Sequence, residues 1–227
     1  MGTEYKDFYR KHARRYAKVS HEFIQSQYSD VSHRGLTGDL ALIHRFGELI
    51  PPHSRGLDAG CGSGARDVFF YWQAGHDIKG IDAVDENISW ATKLHPEIAD
   101  RVSVADLTAG FEYPTGYFDF VLCNAVIQHI SPETVTNVIL PEFARILRPG
   151  GLLQLMFKVG SGIEVTFDKD YDSIREFQLY DAKEIIDQLS ALYLEVIPEE
   201  EDKLGGVMYF TDTKPVKHCV VFARKAA

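Results

Sequence analysis

Apolar side chains recur every three or four residues near the N-terminus, which is the spacing of one face of a helix. These positions are Tyr5, Phe8, Tyr9, His12, Tyr16, Val19 and Phe23. Arginines and lysines lie between them, so we expect an amphipathic helix with a basic outer side. The stretch 36–50 predicts a second helix, which ends at Pro51 because proline lacks a backbone donor.

Short apolar runs alternate with helical patterns from residue 56 onward. Strands are predicted at 56–59, 77–82, 101–105, 118–124 and 152–158, with helices at 65–74, 85–94 and 131–147 between them. Ser131 is the expected N-cap of the last of these helices, since Pro132 and Glu133 follow it. This alternation predicts an α/β fold with a doubly wound, mostly parallel sheet.

The pattern changes towards the C-terminus. A predicted helix at 181–192 precedes strands at 193–197 and 218–224, and no helix is predicted between these two strands. Strands joined without a helix favour an antiparallel arrangement, here at one edge of the sheet. No linker separates the chain into two parts, so a single domain is expected.

A glycine-spaced turn follows the first predicted strand. Residues 57–65 read Leu-Asp-Ala-Gly-Cys-Gly-Ser-Gly-Ala, which places glycine at 60, 62 and 64. Glycine lets the backbone approach a ligand closely and adopt angles that other residues avoid. The helix that starts next offers free N–H groups and the positive end of its dipole. The turn therefore favours a nucleotide-like ligand.

Carboxylates stand near the ends of the first three predicted strands. Asp82 is placed to accept hydrogen bonds from ribose hydroxyls, and Asp106 from an adenine amino group. Asp58 precedes the glycines, where a negative charge suits a ligand ammonium better than a pyrophosphate. Ala65 still completes a relaxed dinucleotide pattern, so an NAD-dependent oxidoreductase stays open as an alternative.

Five segments in this order resemble the class I S-adenosylmethionine-dependent methyltransferases that act on small molecules. They are LDAGCGSG at 57–64, GID at 80–82, VADL at 104–107, FDFVLCNAVIQHI at 118–130 and ILRPGG at 146–151. The resemblance covers residues 54–158 and implies a Rossmann-like methyltransferase fold with seven strands, the last antiparallel. It also implies S-adenosyl-L-methionine as the methyl donor and S-adenosyl-L-homocysteine as the product.

The resemblance also implies which residues bind the donor. It implies that Asp82 and Ala83 hold the ribose, that Asp106 and Leu107 hold the adenine, and that Asn124 lies beneath the sulfonium. The methionine portion is expected against Asp58, Gly60, Cys61, Gly62 and Gly64, with Tyr16 covering the donor.

The acceptor is expected between the first helix and the insert after the fifth strand. Candidate acceptor-binding residues are Tyr9, His129, Tyr171, Arg175 and Tyr180, and Arg175 or Lys158 is a candidate for meeting an acidic group. Methyl transfer mainly requires alignment and exclusion of water, although a hydroxyl nucleophile benefits from a general base. His129 is the candidate catalytic base; we favour a structural role for it, as a partly buried histidine that caps the next helix.

One methyltransferase domain, 1–227, is therefore expected to contain four segments. They are an N-terminal helical lid at 1–50, a donor-binding core at 54–158, a substrate-side insert at 159–180, and a C-terminal helix and hairpin at 181–227.

The composition of the chain limits which kinds of binding partner are expected. The formal net charge is −9, and an acidic body disfavours a large nucleic-acid surface. Three cysteines without CxxC spacing favour a reducing cytoplasm and no metal site. No apolar run approaches the roughly 18 to 20 residues that span a bilayer, and the N-terminus is polar, so neither membrane nor leader is expected.

These observations predict a cytoplasmic monomer or homodimer that methylates an oxygen or nitrogen atom of a small molecule. The first alternative is a tRNA or protein methyltransferase recruited by the basic side of the first helix. A non-catalytic methyltransferase-like subunit is the other alternative, although the intact glycine turn argues against it.

Overall fold

The computed structural model of the chain describes residues 4–23, 27–200, 203–212 and 216–227. The first three residues of the polar N-terminus lie outside this description, and so does the side chain of Phe23, which was assigned to the apolar face of the first helix.

The described residues form six helices and ten strands. The helices are α1 (Glu4–Phe23), α2 (Asp39–Leu49), α3 (Arg66–Gln73), α4 (Asp85–Leu94), α5 (residues 132–146) and α6 (Ala182–Ala191). The strands are β1 (Arg55–Ala59), β2 (Asp77–Asp82), β3 (Val102–Val104), β4 (Phe118–Asn124), β5 (Leu147–Lys158), β6 (Ile163–Asp168), β7 (Ser173–Gln178), β8 (Leu194–Val196), β9 (Val207–Thr211) and β10 (Lys217–Lys225).

The central sheet has the strand order β3-β2-β1-β4-β5-β10-β8, and β9 pairs with β10 beside β8. Strands β1 to β5 are parallel, whereas β10 is antiparallel to β5 and to β8. This confirms the prediction of a doubly wound, mostly parallel sheet with an antiparallel last strand. Strand β9 was not predicted, and it raises the strand count from seven to eight.

Apolar side chains cover both faces of this sheet. One cluster joins the sheet to α5 and α6 through fully buried residues such as Phe143 and Leu189. The other joins it to α2 and α3, where Phe46 packs against Phe120 and Phe222 with ring centroids 6.0 and 5.5 Å apart. Because helices cover both faces of the sheet, the carboxyl ends of the parallel strands stay accessible. We call this side of the sheet its open edge.

Helix α5 is interrupted rather than continuous. Pro132–Thr134 and Leu140–Ile146 are α-helical, and Val135–Ile139 between them is a π-helix. Pro141 explains the interruption, because a proline ring clashes with the carbonyl four residues earlier, which lies in the widened segment. The predicted cap is confirmed, since Thr134 N donates to Ser131 Oγ at 3.3 Å.

The insert after β5 is more regular than predicted. Strands β6 and β7 form a separate two-stranded antiparallel sheet, in which Ile163 pairs with Gln178 and Asp168 pairs with Ser173. The side chains alternate, so that Arg175 and Phe177 face the protein while Ile174 is exposed. We call this pair of strands the β6–β7 hairpin.

Helix α1 crosses the open edge of the central sheet. Near its start, Lys6 Nζ lies 2.5 Å from Asp106 Oδ2, just after β3. Further along, Arg15 Nε donates to the carbonyl of Asp170 in the loop of the β6–β7 hairpin, at 2.8 Å. Ala13 and Ala17 are buried beneath the helix. Helix α1 therefore covers the ends of the strands that carry the predicted site residues.

Candidate active site

Two neighbouring cavities open beneath α1. The strand-end cavity lies at the carboxyl ends of β1, β2 and β4, and among the predicted residues it is lined by Tyr9, Tyr16, Gly60, Asp82, Ala83, Asp106, Leu107, Asn124 and His129. The hairpin cavity lies towards β5 and the β6–β7 hairpin, and among the predicted residues it is lined by Tyr9, Tyr16, Asp58, Gly60, Cys61, Gly64, Asn124, Lys158, Tyr171 and Arg175. Five residues line both cavities: Tyr9, Tyr16, Gly60, Asn124 and Ala125.

Asp82 organises the strand-end cavity. One carboxylate oxygen accepts from Val84 N at 2.8 Å and from Asn87 Nδ2 at 3.1 Å, and the other accepts from Gly62 N at 3.0 Å. Burial raises the pKa of Asp82, while these three hydrogen bonds act in the opposite direction. Gly62 lines neither cavity, so its part is to hold Asp82 through its backbone.

At Gly60 and Gly62 the glycine turn has positive φ angles, and neighbouring side chains leave no space for a Cβ atom. A Cβ on Gly60, whose φ is +103°, would lie 2.3 Å from Val126 Cγ2. A Cβ on Gly62, whose φ is +64°, would lie 2.9 Å from Tyr16 Oη. Positive φ and close approach both require glycine here. The packing of α1 therefore constrains the shape of the turn, in addition to any constraint that a ligand imposes.

A cluster of acidic side chains lies below the glycine turn. Asp58 is 4% exposed, and both burial and the nearby negative charge of Asp67 raise its pKa well above the usual range. Asp67 accepts from Asn124 Nδ2 at 3.0 Å and from Arg66 Nε at 2.8 Å. A cationic group placed beside Asp58 would stabilise its charged form, which suits the predicted ligand ammonium.

Asp106 is engaged by α1 as well as by its own loop. Its Oδ1 accepts from Thr108 N and Oγ1 at 3.0 and 2.8 Å, and its Oδ2 pairs with Lys6. Burial raises the pKa of Asp106, but the hydrogen bonds from Lys6 and Thr108 outweigh it and lower the pKa overall. An adenine amino group could reach Oδ2 only in competition with Lys6.

His129 is buried under α1 and lines the strand-end cavity. Its Nε2 lies 3.1 Å from Tyr9 Oη, and its ring stacks on Tyr5 with centroids 5.7 Å apart. Burial, followed by the charges of Arg175 and Lys158, lowers the pKa of His129 well below its usual value. The ring is therefore neutral at physiological pH. Ser131 caps α5, so the predicted capping role of His129 is not what the structure shows.

Arg175 anchors α1 to the β6–β7 hairpin. It donates to Tyr9 Oη at 2.5 Å and to Asp168 Oδ2 at 3.0 Å, and the Asp168 side chain is only 1% exposed. The guanidinium also lies 4.6 Å from the ring centroids of both Phe8 and Phe177. Such stacking and a paired carboxylate hold a buried cation in place. The charge of Arg175 is thus compensated by Asp168 within the chain.

Tyr180 was predicted on the acceptor side, but it lines neither of the two cavities. It is 6% exposed and donates to the carbonyls of Ile130 at 2.6 Å and Ile127 at 3.1 Å. Its position directly after the hairpin in sequence suggested the cavity, but its hydroxyl is drawn to the turn Ile127–His129 by two buried carbonyls. These two hydrogen bonds therefore hold the backbone of the turn that carries His129.

Several cavity residues were missed by the sequence analysis. Asn87 lines the strand-end cavity, and its buried Oδ1 has no hydrogen-bond partner among the described residues. Gln128, Met156 and Phe177 line the hairpin cavity. The signal for Asn87 was its place one turn into α4 after Asp82. No local pattern marks Met156 or Phe177, because they look like ordinary strand residues.

The three cysteines, Cys61, Cys123 and Cys219, are free thiols in the structure. Burial first, and then the charge of Asp58, raise the pKa values of Cys61 and Cys123. Within residues 4–23, 27–200, 203–212 and 216–227, no group of three or more His, Cys, Asp or Glu side chains is arranged to hold a metal ion. None of the helices described there is long and apolar enough to cross a membrane.

Comparison with known proteins connects this geometry to one family. The family model for the methyltransferase domain matches residues 57–155. The 2-methyl-6-phytyl-1,4-hydroquinone methyltransferase of Synechocystis sp. is 29% identical over 136 residues, which are 60% of this chain and 39% of that protein. The chain therefore spans about two fifths of the length of that curated relative.

Solved structures share the fold over the whole chain. The 1,6-didemethyltoxoflavin-N1-methyltransferase of Burkholderia thailandensis has a TM-score of 0.65 at 18% identity, covering 100% of this chain and 91% of that one. The [4+2]-cyclase SpnF has a TM-score of 0.70 at 16% identity, covering 100% and 97%. Identity at this level establishes the fold alone, and a cyclase among the neighbours illustrates that one fold hosts different reactions.

Proposed function

We propose a reaction for this chain, which belongs to the class I S-adenosylmethionine-dependent methyltransferase family through its domain at residues 57–155. It transfers a methyl group from S-adenosyl-L-methionine to an oxygen or nitrogen atom of a small-molecule acceptor. The observation that carries the proposal is the junction of the two cavities at Gly60, Asn124 and Ala125, because a donor and an acceptor must meet there. S-adenosyl-L-methionine supplies an electrophilic methyl group on a sulfonium.

The residues of the strand-end cavity fit the nucleoside part of this donor. The Asp82 carboxylate and the unpartnered Asn87 Oδ1 are acceptors for hydroxyl and amino hydrogens. Asp106 and Leu107 border the far end of the cavity, where the adenine is expected. Asp58 and the glycine turn lie on the hairpin side, where a methionine ammonium would restore the charge of Asp58.

Catalysis by this chain rests mainly on alignment and on exclusion of water. Tyr9, Tyr16 and Asn124 border both cavities and limit how two molecules approach each other there. Helix α1 and the β6–β7 hairpin cover the junction, so we assign the lid role to α1 and the substrate-side role to the hairpin. Orienting two reactants in a dry site is worth about 7 to 11 kcal/mol in well-placed systems.

His129 makes at most a secondary contribution to proton transfer. Its Nε2 is the atom placed to take a proton, by way of the Tyr9 hydroxyl 3.1 Å away. The strongly lowered pKa of His129 leaves it neutral and able to accept, but it also makes it a weak base. An amine or phenolate acceptor needs no stronger base, which is consistent with an oxygen or nitrogen nucleophile.

A small acceptor is favoured over tRNA or protein because the junction is covered. Tyr5 and Tyr9 close it from α1, His129 closes it from the turn after β4, and Arg175 and Phe177 close it from the hairpin. A macromolecule would have to displace these packed rings, whereas a small molecule fits beneath them.

The test is incubation with methyl-labelled S-adenosyl-L-methionine and a fractionated cell extract. We expect label in a compound of low molecular mass, with a mass gain of one methylene and release of S-adenosyl-L-homocysteine. Label in the RNA or protein fraction would instead favour the alternative substrates. A protein that binds the donor but transfers no methyl group to any fraction would contradict the proposed reaction.

A further inference from the structure

The turn Ile127–His129 presents two neighbouring side chains to two different cavities. His129 lines the strand-end cavity, and Gln128 lines the hairpin cavity. The turn is held by the Tyr180 hydroxyl, which donates to the carbonyls of Ile127 and Ile130 at either end. The backbone that carries Gln128 is therefore held in place.

The Gln128 side chain is buried without a complete set of partners. The residue is 4% exposed, and its Oε1 has no hydrogen-bond partner among the residues that the structure describes. A buried amide oxygen without a donor costs free energy, so such atoms in native proteins generally have a partner, which a ligand can supply. Ser63 and Gln154 also have such an oxygen but line neither cavity, whereas the unpartnered oxygen of Asn87 belongs to the strand-end cavity.

The surroundings of Gln128 indicate what kind of molecule brings the missing donor. Met156, Phe177 and Phe210 are 7%, 3% and 1% exposed and line the same cavity, so they form an apolar part of a wall that also carries polar and charged side chains. The hydrogen bonds of Arg175, a hairpin donor that lines the same cavity, go to Tyr9 and Asp168. The donor for Gln128 is then expected from the bound molecule.

We propose that Gln128 is a positioning residue that selects the methyl acceptor. Its side-chain oxygen accepts a hydrogen bond from an O–H or N–H group of an acceptor with an aromatic or otherwise apolar body. That contact determines which atom of the acceptor lies at the junction beside Asn124. The inference rests on the proposed methyl transfer, and it adds the acceptor class: hydroxylated or aminated apolar molecules.

The experiment uses the full chain saturated with S-adenosyl-L-homocysteine and measures the dissociation constants of matched fragments by NMR titration. The probes are phenol with anisole and aniline with N,N-dimethylaniline, and ethylbenzene controls for size. We expect the wild-type protein to bind phenol and aniline about tenfold more tightly than their capped partners. Gln128→Met, which keeps the volume but removes the acceptor oxygen, brings this ratio to about one.

Gln128→Glu serves as the conservative variant. It retains an acceptor oxygen at the same position, so it keeps the preference for phenol and aniline. A purely structural role for Gln128 would leave the ratio unchanged in all three proteins, because only overall binding would then move.

Three outcomes would overturn the inference: equal binding within each pair by the wild-type protein, an unchanged ratio in Gln128→Met, or no binding of any probe that carries O–H or N–H. Each is read with S-adenosyl-L-homocysteine bound, as a separate titration verifies. A protein that fails to bind S-adenosyl-L-homocysteine would contradict the proposed function itself, so the two failures are distinguishable.

Discussion

The buried imidazole of His129 makes the stability of the protein sensitive to acid. In the unfolded chain a histidine has a pKa of about 6.5. In the folded protein, burial and the charges of Arg175 and Lys158 lower this pKa well below that value. The unfolded state therefore binds a proton at a pH where the folded state does not, so stability is fully present above about pH 6.5 and decreases as the pH falls below it.

The magnitude follows from one proton. If the folded ring stays neutral, the cost at pH 5.5 is about 1.4 kcal/mol, whereas at pH 7.5 it is about 0.1 kcal/mol. Replacing His129 by glutamine removes this term and leaves a polar side chain facing Tyr9. We expect the wild-type protein to lose about 1.3 kcal/mol more than His129→Gln between these two pH values.

The assay is urea unfolding of both proteins at pH 7.5 and pH 5.5, with the free energy of unfolding taken from linear extrapolation. The same replacement at His44, on the exposed side of α2, controls for the chemistry of the substitution. An equal loss of stability in wild type and His129→Gln would refute the reasoning, because it would mean that His129 is accessible to protons in the folded state.

Three further changes test the contacts that hold the site. Arg175→Met removes the guanidinium that pairs with the buried carboxylate of Asp168 and is expected to cost about 3 to 5 kcal/mol in urea unfolding; a loss below about 1 kcal/mol would speak against a buried pair. Gly62→Ala should weaken S-adenosyl-L-homocysteine binding at least tenfold by calorimetry, because the added methyl group clashes with Tyr16. The control Gly162→Ala, at a similar φ of +74° but with open space around it, should not weaken binding. Equal effects of the two substitutions would implicate backbone strain alone. Lys6→Met should change the free energy of unfolding by no more than about 1 kcal/mol, because the ion pair with Asp106 is partly exposed. It should nevertheless speed amide hydrogen exchange at the start of α1. Unchanged exchange would show that this ion pair does not hold the lid.

Local sequence signals predicted several of the residues that line the strand-end cavity. The glycine turn, Asp82 and Asn124 each lie within a few residues of a strand end, and parallel strands bring such ends to one edge. The same logic placed Asp106, although it did not reveal that Lys6, one hundred positions earlier, would pair with it.

The acceptor side was harder to predict because its contacts are distant in sequence. Arg175 meets Tyr9 across 166 positions, and Tyr180 turns to two backbone carbonyls some fifty positions earlier. Strand β6 alternates apolar and polar residues, but β7 does not, and the hairpin has no Asn-Gly or Gly-Gly turn to mark it. Their placement is set by packing against α1 rather than by local pattern.

Calorimetric titration of S-adenosyl-L-homocysteine into three proteins shows whether Asp82 organises a pocket for a sulfonium nucleoside. These are wild type, Asp82→Asn and Asp85→Asn, the last removing an exposed carboxylate three residues further along the chain. The account predicts binding by wild type and Asp85→Asn, and at least tenfold weaker binding by Asp82→Asn. Absence of heat with wild type, or equal affinity in all three proteins, would contradict it.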